Sequence, residues 1–88
     1  MAMYVTDFDW DEGNAGKNLS HGVEDVEAEQ VFFNRAKLRR SRDRYYLYGT
    51  TDEGRFLFVV FIWKQPGRPR VISARDMTAS ERRYYGRK

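Results

Sequence analysis

Arg75 closes the apolar run VISAR, and three residues further on Thr78-Ala79-Ser80-Glu81 supplies a carboxylate, followed at once by Arg82, Arg83, Tyr84 and Tyr85. A guanidinium grips two phosphate oxygens at once and keeps its charge near neutral pH. A carboxylate such as Glu81 moves or orients a proton, and a phenol stacks on a base or donates to phosphate. His21, the only histidine, is the one side chain whose ordinary titration falls near neutrality. These residue types suit chemistry at a phosphodiester, with Arg75 as the cation at the reacting phosphate and Glu81 and His21 as proton carriers.

Each of these residues also has a plainer account. Arg75 can pair with a nearby acid, as strand-end arginines do. Thr78 and Glu81 fit a capping box, in which the loss of a cap typically costs about 1 kcal/mol. His21 precedes Gly22, where a histidine complements the dipole of a helix C-terminus. Helix neighbours point about 100° apart, so one of Tyr84 and Tyr85 docks the helix while the other faces a ligand. Lys17 and Arg55 are further candidates for phosphate contacts, with simple solvation as the competing account.

The elements that must hold these residues follow from periodicity. Tyr4, Thr6, Phe8 and Trp10 alternate with Val5, Asp7 and Asp9, which predicts a half-buried strand over Tyr4 to Trp10. Asp11 to Gly22 reads as a helix weakened by two internal glycines. Glu24 to Phe33 reads as a better-founded helix, with Ala28, Val31 and Phe32 facing the core. Asn34 to Arg44, a basic stretch without apolar periodicity, reads as a loop. Strand character resumes at Tyr45 to Tyr48, and RFLFVVFIW, apolar on both faces, reads as the central strand. Pro66-Gly67 turns the chain back into a strand from Arg70 to Arg75, and Thr78 caps a two-turn helix that Gly86 ends. The expected order is β-α-α-β-β-β-α, an α+β arrangement of one small antiparallel sheet with two N-terminal helices and a short C-terminal helix.

A chain of 88 residues is one domain, 1–88, with room for one core. Cysteine is absent, which excludes disulfides and thiolate zinc sites and suits a reducing compartment. The apolar run Phe56 to Trp63 is too short to cross a bilayer, and the acidic N-terminus is unlike a signal peptide, so a cytoplasmic location is expected. The net charge of +3 conceals a division: residues 1–30 carry −7 and residues 31–88 carry +10. Such asymmetry suits a basic surface for phosphate and an acidic one held away from it or offered to a basic partner. Two differently solvated faces of an ordinary domain would look the same.

Three stretches, FDWDEGNAGKNLSHGVEDVEAEQVFF, YLYGTTDEGRFLFVVF and RVISARDMTASERRYY, together resemble the BrnT family of type II toxin–antitoxin ribonuclease toxins. The combination of W-D, N-x-x-H-G-V, G-x-T-D-x-G-R and I-S-A-R with E-R-x-Y carries the resemblance over nearly the whole chain. It departs at Ser20, where many relatives have lysine, and at Arg39 to Arg42, which map onto no part of the pattern. The resemblance implies a RelE-like fold and RNA cleavage that arrests growth; attack by the 2′-hydroxyl, with cations and proton carriers from the protein, is expected to need no metal or other cofactor. It also implies a cognate ribbon-helix-helix antitoxin of the BrnA kind, with operator DNA bound only through that antitoxin and the complex repressing its own operon.

Under that resemblance Arg75, Glu81 and His21 are the catalytic candidates, and Arg82, Arg83, Tyr84, Tyr85, Lys17 and Arg55 the RNA-binding ones. Trp10 and Trp63 read as core or antitoxin-facing aromatics. The doubly apolar central strand predicts a covering partner, either a homodimer mate or an antitoxin in a heterotetramer. The alternative is a non-catalytic RNA-binding or protein-interaction module on the same fold. A repressor acting directly on DNA lacks a helix-turn-helix, zinc-finger or ribbon-helix-helix pattern.

Overall fold

The computed structural model describes residues 3–87. A 3₁₀ helix at Lys17–His21 and α1 (Asp25–Phe33) precede four strands, β1 (Lys37–Ser41), β2 (Arg44–Thr50), β3 (Phe56–Gln65) and β4 (Arg68–Asp76), and α2 (Ala79–Gly86) closes the chain. The strands form one antiparallel meander in the order β1-β2-β3-β4. The architecture is α+β, with two α-helices among the described residues where three helices are expected.

Side chains alternate across the pleat, and the two faces differ. Leu47, Leu57, Val59, Phe61, Val71 and Ala74 face α1, whose Ala28, Val31 and Phe32 complete the core, all at most 2 % exposed. The spacing of those helix residues gives one apolar stripe. Asp25 and Glu27 occupy its first turn, where carboxylates complement the dipole, and Glu27 Oε1 accepts the Glu24 N–H at 3.0 Å. On the opposite face lie Lys37 and Arg39 of β1, Tyr46 and Tyr48 of β2, Phe58 and Val60 of β3, and Arg75 of β4, in register with one another. Among the described residues only α2 covers this face, and only at one end.

Three expectations need correction. The segment Tyr4 to Trp10 is extended but not a strand. It meets the start of β4 through Thr6 N–H to the Gly67 carbonyl (2.8 Å) and Asp9 N–H to the Pro69 carbonyl (2.9 Å). A proline has no N–H to return, so no ladder propagates there. Further along that edge, side chains take the place of a partner strand: Asn14 Nδ2 donates to the Val71 carbonyl, Asn18 Oδ1 accepts the Ala74 N–H, and His21 Nδ1 meets the Ala74 carbonyl.

The helix expected over Asp11 to Gly22 is reduced to turns and the 3₁₀ segment. Asn14 Oδ1 takes the Asp11 N–H at 2.8 Å and Asp11 Oδ1 takes the Gly13 N–H at 2.7 Å, which is the competition short polar side chains offer to helical bonding. Gly16 adopts a left-handed φ of 70°, which ends any continuous helix there.

The loop expected over Asn34 to Arg44 contains β1, and so the order from the first helix onward is αββββα. Leu38 is the single apolar residue of that strand. An edge strand that buries one side chain shows almost no period, and its Lys and Arg residues are typical of exposed edges. The return into β4 places Gly67 at φ 79°, where a Cβ would also stand 3.0 Å from Thr6 Oγ1.

Candidate functional site

Arg75 and Glu81 meet in a fork, with Nη1 to Oε1 at 2.7 Å and Nη2 to Oε2 at 2.9 Å. The strand end fixes the first residue and the helix cap fixes the second. Glu81 Oε1 also accepts the Thr78 N–H (2.9 Å), and Thr78 Oγ1 accepts the Glu81 N–H (3.1 Å), so the capping box forms as expected. The Arg75 fork, reinforced by the Thr78 N–H, holds the Glu81 carboxyl below the ordinary glutamate range despite partial burial. The side chains keep 37 % and 21 % of their exposure, so the pair borders solvent.

Aromatic rings floor this pair. The Arg75 guanidinium lies 4.5 Å from the Phe58 ring and that of Arg82 lies 4.1 Å from the Phe56 ring. Phe56 and Phe58 are two apart on one strand, which puts both rings on one face and brings Arg82 alongside Arg75 and Glu81. Next to Phe58, Tyr48 stacks at a tilt on Tyr84, with ring centres 4.8 Å apart. Burial pushes the Tyr48 phenol above its ordinary range.

Tyr84 and Tyr85 point in different directions, but both pack against the protein. Tyr85 donates its hydroxyl to the Arg35 carbonyl at 2.6 Å and so ties α2 to the chain before β1. Tyr84 faces the sheet, with Lys37 Nζ 4.1 Å and the Arg39 guanidinium 5.5 Å from its ring. Lys37 also donates to the Tyr84 and Arg87 carbonyls, where a cation complements the end of α2. A cleft of about 710 Å³ opens beside it, lined by Arg35, Ala36, Lys37, Tyr85, Gly86 and Arg87, at the opposite end of α2 from Glu81. Arg83 is exposed on α2.

The remaining sequence candidates lie elsewhere. His21 is exposed beside the outer edge of β4, its Nδ1 3.0 Å from the Ala74 carbonyl, one residue from Arg75 along the chain. A carbonyl accepts only, so Nδ1 carries a proton toward it, and Nε2 makes no hydrogen bond among the described residues. Lys17 is exposed on the 3₁₀ helix. Arg55 is committed to the protein: Nε and Nη2 reach Asp76 at 2.7 and 3.1 Å, and Nη1 reaches the Gly22 carbonyl at 2.8 Å and Glu27 at 3.3 Å. Phosphate contact by Arg55 would require breaking that clamp. Trp10 donates to Glu29 at 2.6 Å, and Trp63 packs edge-on to Phe61 and Tyr45.

Sequence reasoning does not single out Lys37, Arg39, Tyr46, Tyr48 or Phe58 for this face. The alternation of Lys37 and Arg39 about Leu38, taken with the tyrosines after Arg44, is the signal that places them there. No three His, Cys, Asp or Glu side chains come together as a metal site among the described residues, and no helix among them is long and apolar enough to cross a membrane.

A family model described as "Ribonuclease toxin, BrnT, of type II toxin-antitoxin system" matches residues 10–81. No curated protein matches the sequence.

Proposed function

The chain belongs to the BrnT family of ribonuclease toxins of type II toxin–antitoxin systems, and from that premise we propose that its whole length, 1–88, acts as one RelE-like toxin domain that cuts RNA in the cytoplasm at Arg75 and arrests growth. The family implies an RNA substrate and an antitoxin partner. In this reading the antitoxin is a BrnA-like ribbon-helix-helix protein that neutralises the toxin, and the complex represses its own operon.

The observation that carries the reading is the Arg75–Glu81 fork at the edge of an open aromatic face. A phosphate entering there offers the same paired oxygens as the Glu81 carboxylate and can replace it on the guanidinium. Glu81, freed from Arg75 but still anchored by the cap, then accepts the proton of the 2′-hydroxyl. The 2′-oxygen bonds to phosphorus, and charge gathers on the phosphoryl oxygens against Arg75 and Arg82. The bond from phosphorus to the 5′-oxygen breaks as that oxygen takes a proton from a general acid, a role assigned to His21.

Arg83 and Lys17 hold flanking phosphates. Tyr84 serves the RNA side, while Tyr85 anchors its helix. Arg55 keeps the β4 end in place beside the site. No metal enters this scheme, since the cations it needs are arginines.

Incubation of the purified protein with a defined RNA, followed by identification of the new ends, tests the reading. A 2′,3′-cyclic phosphate with a 5′-hydroxyl is expected. A 3′-hydroxyl end would replace the scheme with attack by water. The closed state of the Arg75–Glu81 fork favours one competing reading, a non-catalytic RNA-binding module in which the fork is purely structural, and RNA that is bound but left uncut would establish it.

A further inference from the structure

We propose that the sheet face beyond Arg75 is a track for single-stranded RNA, with Tyr46 stacking a base and Arg39 and Arg44 holding the adjoining phosphates. The proposal rests on the ribonuclease reading and names where the substrate strand lies outside the cutting site.

The strand register draws the path. Phe58 stands opposite Arg75 on β3, Tyr48 opposite Phe58, and Tyr46 two residues along β2 on the same face, opposite Arg39 of β1. Tyr46 is half-buried, its ring 5.5 Å from Phe58 and outside the cover that Tyr84 gives Tyr48. Arg44 precedes it by two residues and so shares its face. Arg75 and Tyr46 lie two strands and two residues apart, roughly 12 Å at ordinary spacing, and one strand of RNA can lie across both.

Charge supports a polyanion on this face. Among the described residues, arginine ion pairs form at Arg55, Arg68, Arg70 and Arg75 and at none of the arginines of the β1–β2 hairpin. Arg39, Arg40, Arg42 and Arg44 are all exposed, with Asp43 the one acid among them. The acids gather instead on the N-terminal segment and α1. Charged edge strands also serve to prevent sheet-to-sheet association, but that purpose would be met equally by cations on either face of β1. It does not require an aromatic ring between them. Rings on an open sheet face stack unpaired bases, and stacking of this kind is tolerant of sequence.

Fluorescence anisotropy with a labelled, fully 2′-O-methylated single-stranded RNA tests the track without any need for cleavage, because that RNA cannot supply the attacking hydroxyl. Tyr46→Leu should weaken binding about 5- to 150-fold and Tyr46→Phe should leave it nearly intact, as base–aromatic stacking predicts. Arg39→Ala with Arg44→Ala should weaken binding and lower the slope of log K against log salt by about 1.4, two single-strand phosphates' worth. Arg40→Ala, on the opposite face of β1 over Tyr45, should change affinity less than about 2-fold; this bound serves as the control for a surface charge away from the track. Circular dichroism of each variant checks the fold.

The track is overturned if the wild type fails to bind, if Tyr46→Leu binds as well as the wild type, or if Arg40→Ala costs as much as the Arg39 and Arg44 changes. A wild type that binds in the expected pattern but leaves unmodified RNA uncut supports the track and overturns the nuclease reading. Cleavage by a wild type whose track variants bind normally overturns the track alone.

Discussion

Arg75 and Glu81, six residues apart, are locked guanidinium to carboxylate by two parallel hydrogen bonds of 2.7 and 2.9 Å across the junction between β4 and α2. The pair anchors the helix, and in the proposed reading it is also the resting state of a phosphate site. Variants that separate these two uses are the informative ones.

Glu81→Gln keeps the capping box, since glutamine at this position also reaches back to the N-cap, but removes the charge and the proton acceptor. Cleavage should fall about 10²- to 10⁴-fold, the usual contribution of a general base. Thr78→Ala removes the cap and keeps the carboxylate, so stability should fall by about 1 kcal/mol with a much smaller loss of rate per folded molecule. Single-turnover rates beside denaturant midpoints check both.

Acid should weaken the fold through the same pair. The Glu81 pKa is depressed by Arg75 and that of Asp76 by Arg55, so each contributes stability that is fully present above its ordinary value, 4.5 or 3.8, and is lost as pH falls through the lower folded value. Melting temperature should hold down to the ordinary carboxylate range and drop below it. Glu81→Gln should show a shallower drop.

Arg55 tests the difference between a clamp and a contact. Arg55→Ala removes bonds to Asp76, Glu27 and the Gly22 carbonyl and should cost about 1.5–3 kcal/mol, the range for hydrogen bonds to charged groups. RNA affinity of the folded fraction should fall less than for Arg82→Ala. Urea unfolding beside anisotropy measures the two effects.

The sequence made the capping box, α1 and the two long strands readable because each has a strong local cause: a Thr-x-x-Glu signature, an apolar stripe, an apolar run closed by Pro66-Gly67. The N-terminal segment and β1 were hidden for a different reason. Whether Tyr4 to Trp10 becomes a strand depends on what the β4 edge offers, and Pro69 offers no N–H. Likewise β1 exists through its pairing with β2, while only Leu38 enters the core. For the site, Arg75 and Glu81 are visible from adjacency, whereas Phe58, Tyr46 and Arg39 are brought together by register across strands, which local pattern does not encode.

His21 separates edge support from proton transfer. His21→Asn places an amide N–H where Nδ1 meets the Ala74 carbonyl and deletes Nε2. Stability should stay within about 0.5 kcal/mol, the usual range for a surface change that spares its hydrogen bond. The cleavage rate should fall about 10²-fold or more, with the basic limb of its pH profile lost. An unchanged profile would leave His21 as edge support alone.

Arg75 carries the central claim, and its most direct measurement is the single-turnover cleavage rate of saturating RNA by Arg75→Ala and Arg75→Lys, with the fold of each verified by circular dichroism. Loss of one preorganised charge donor at the reacting phosphate predicts a fall of about 10²- to 10³-fold for alanine, only partly restored by lysine because an ammonium cannot form the fork. A folded Arg75→Ala protein that cuts RNA at the wild-type rate would contradict the account.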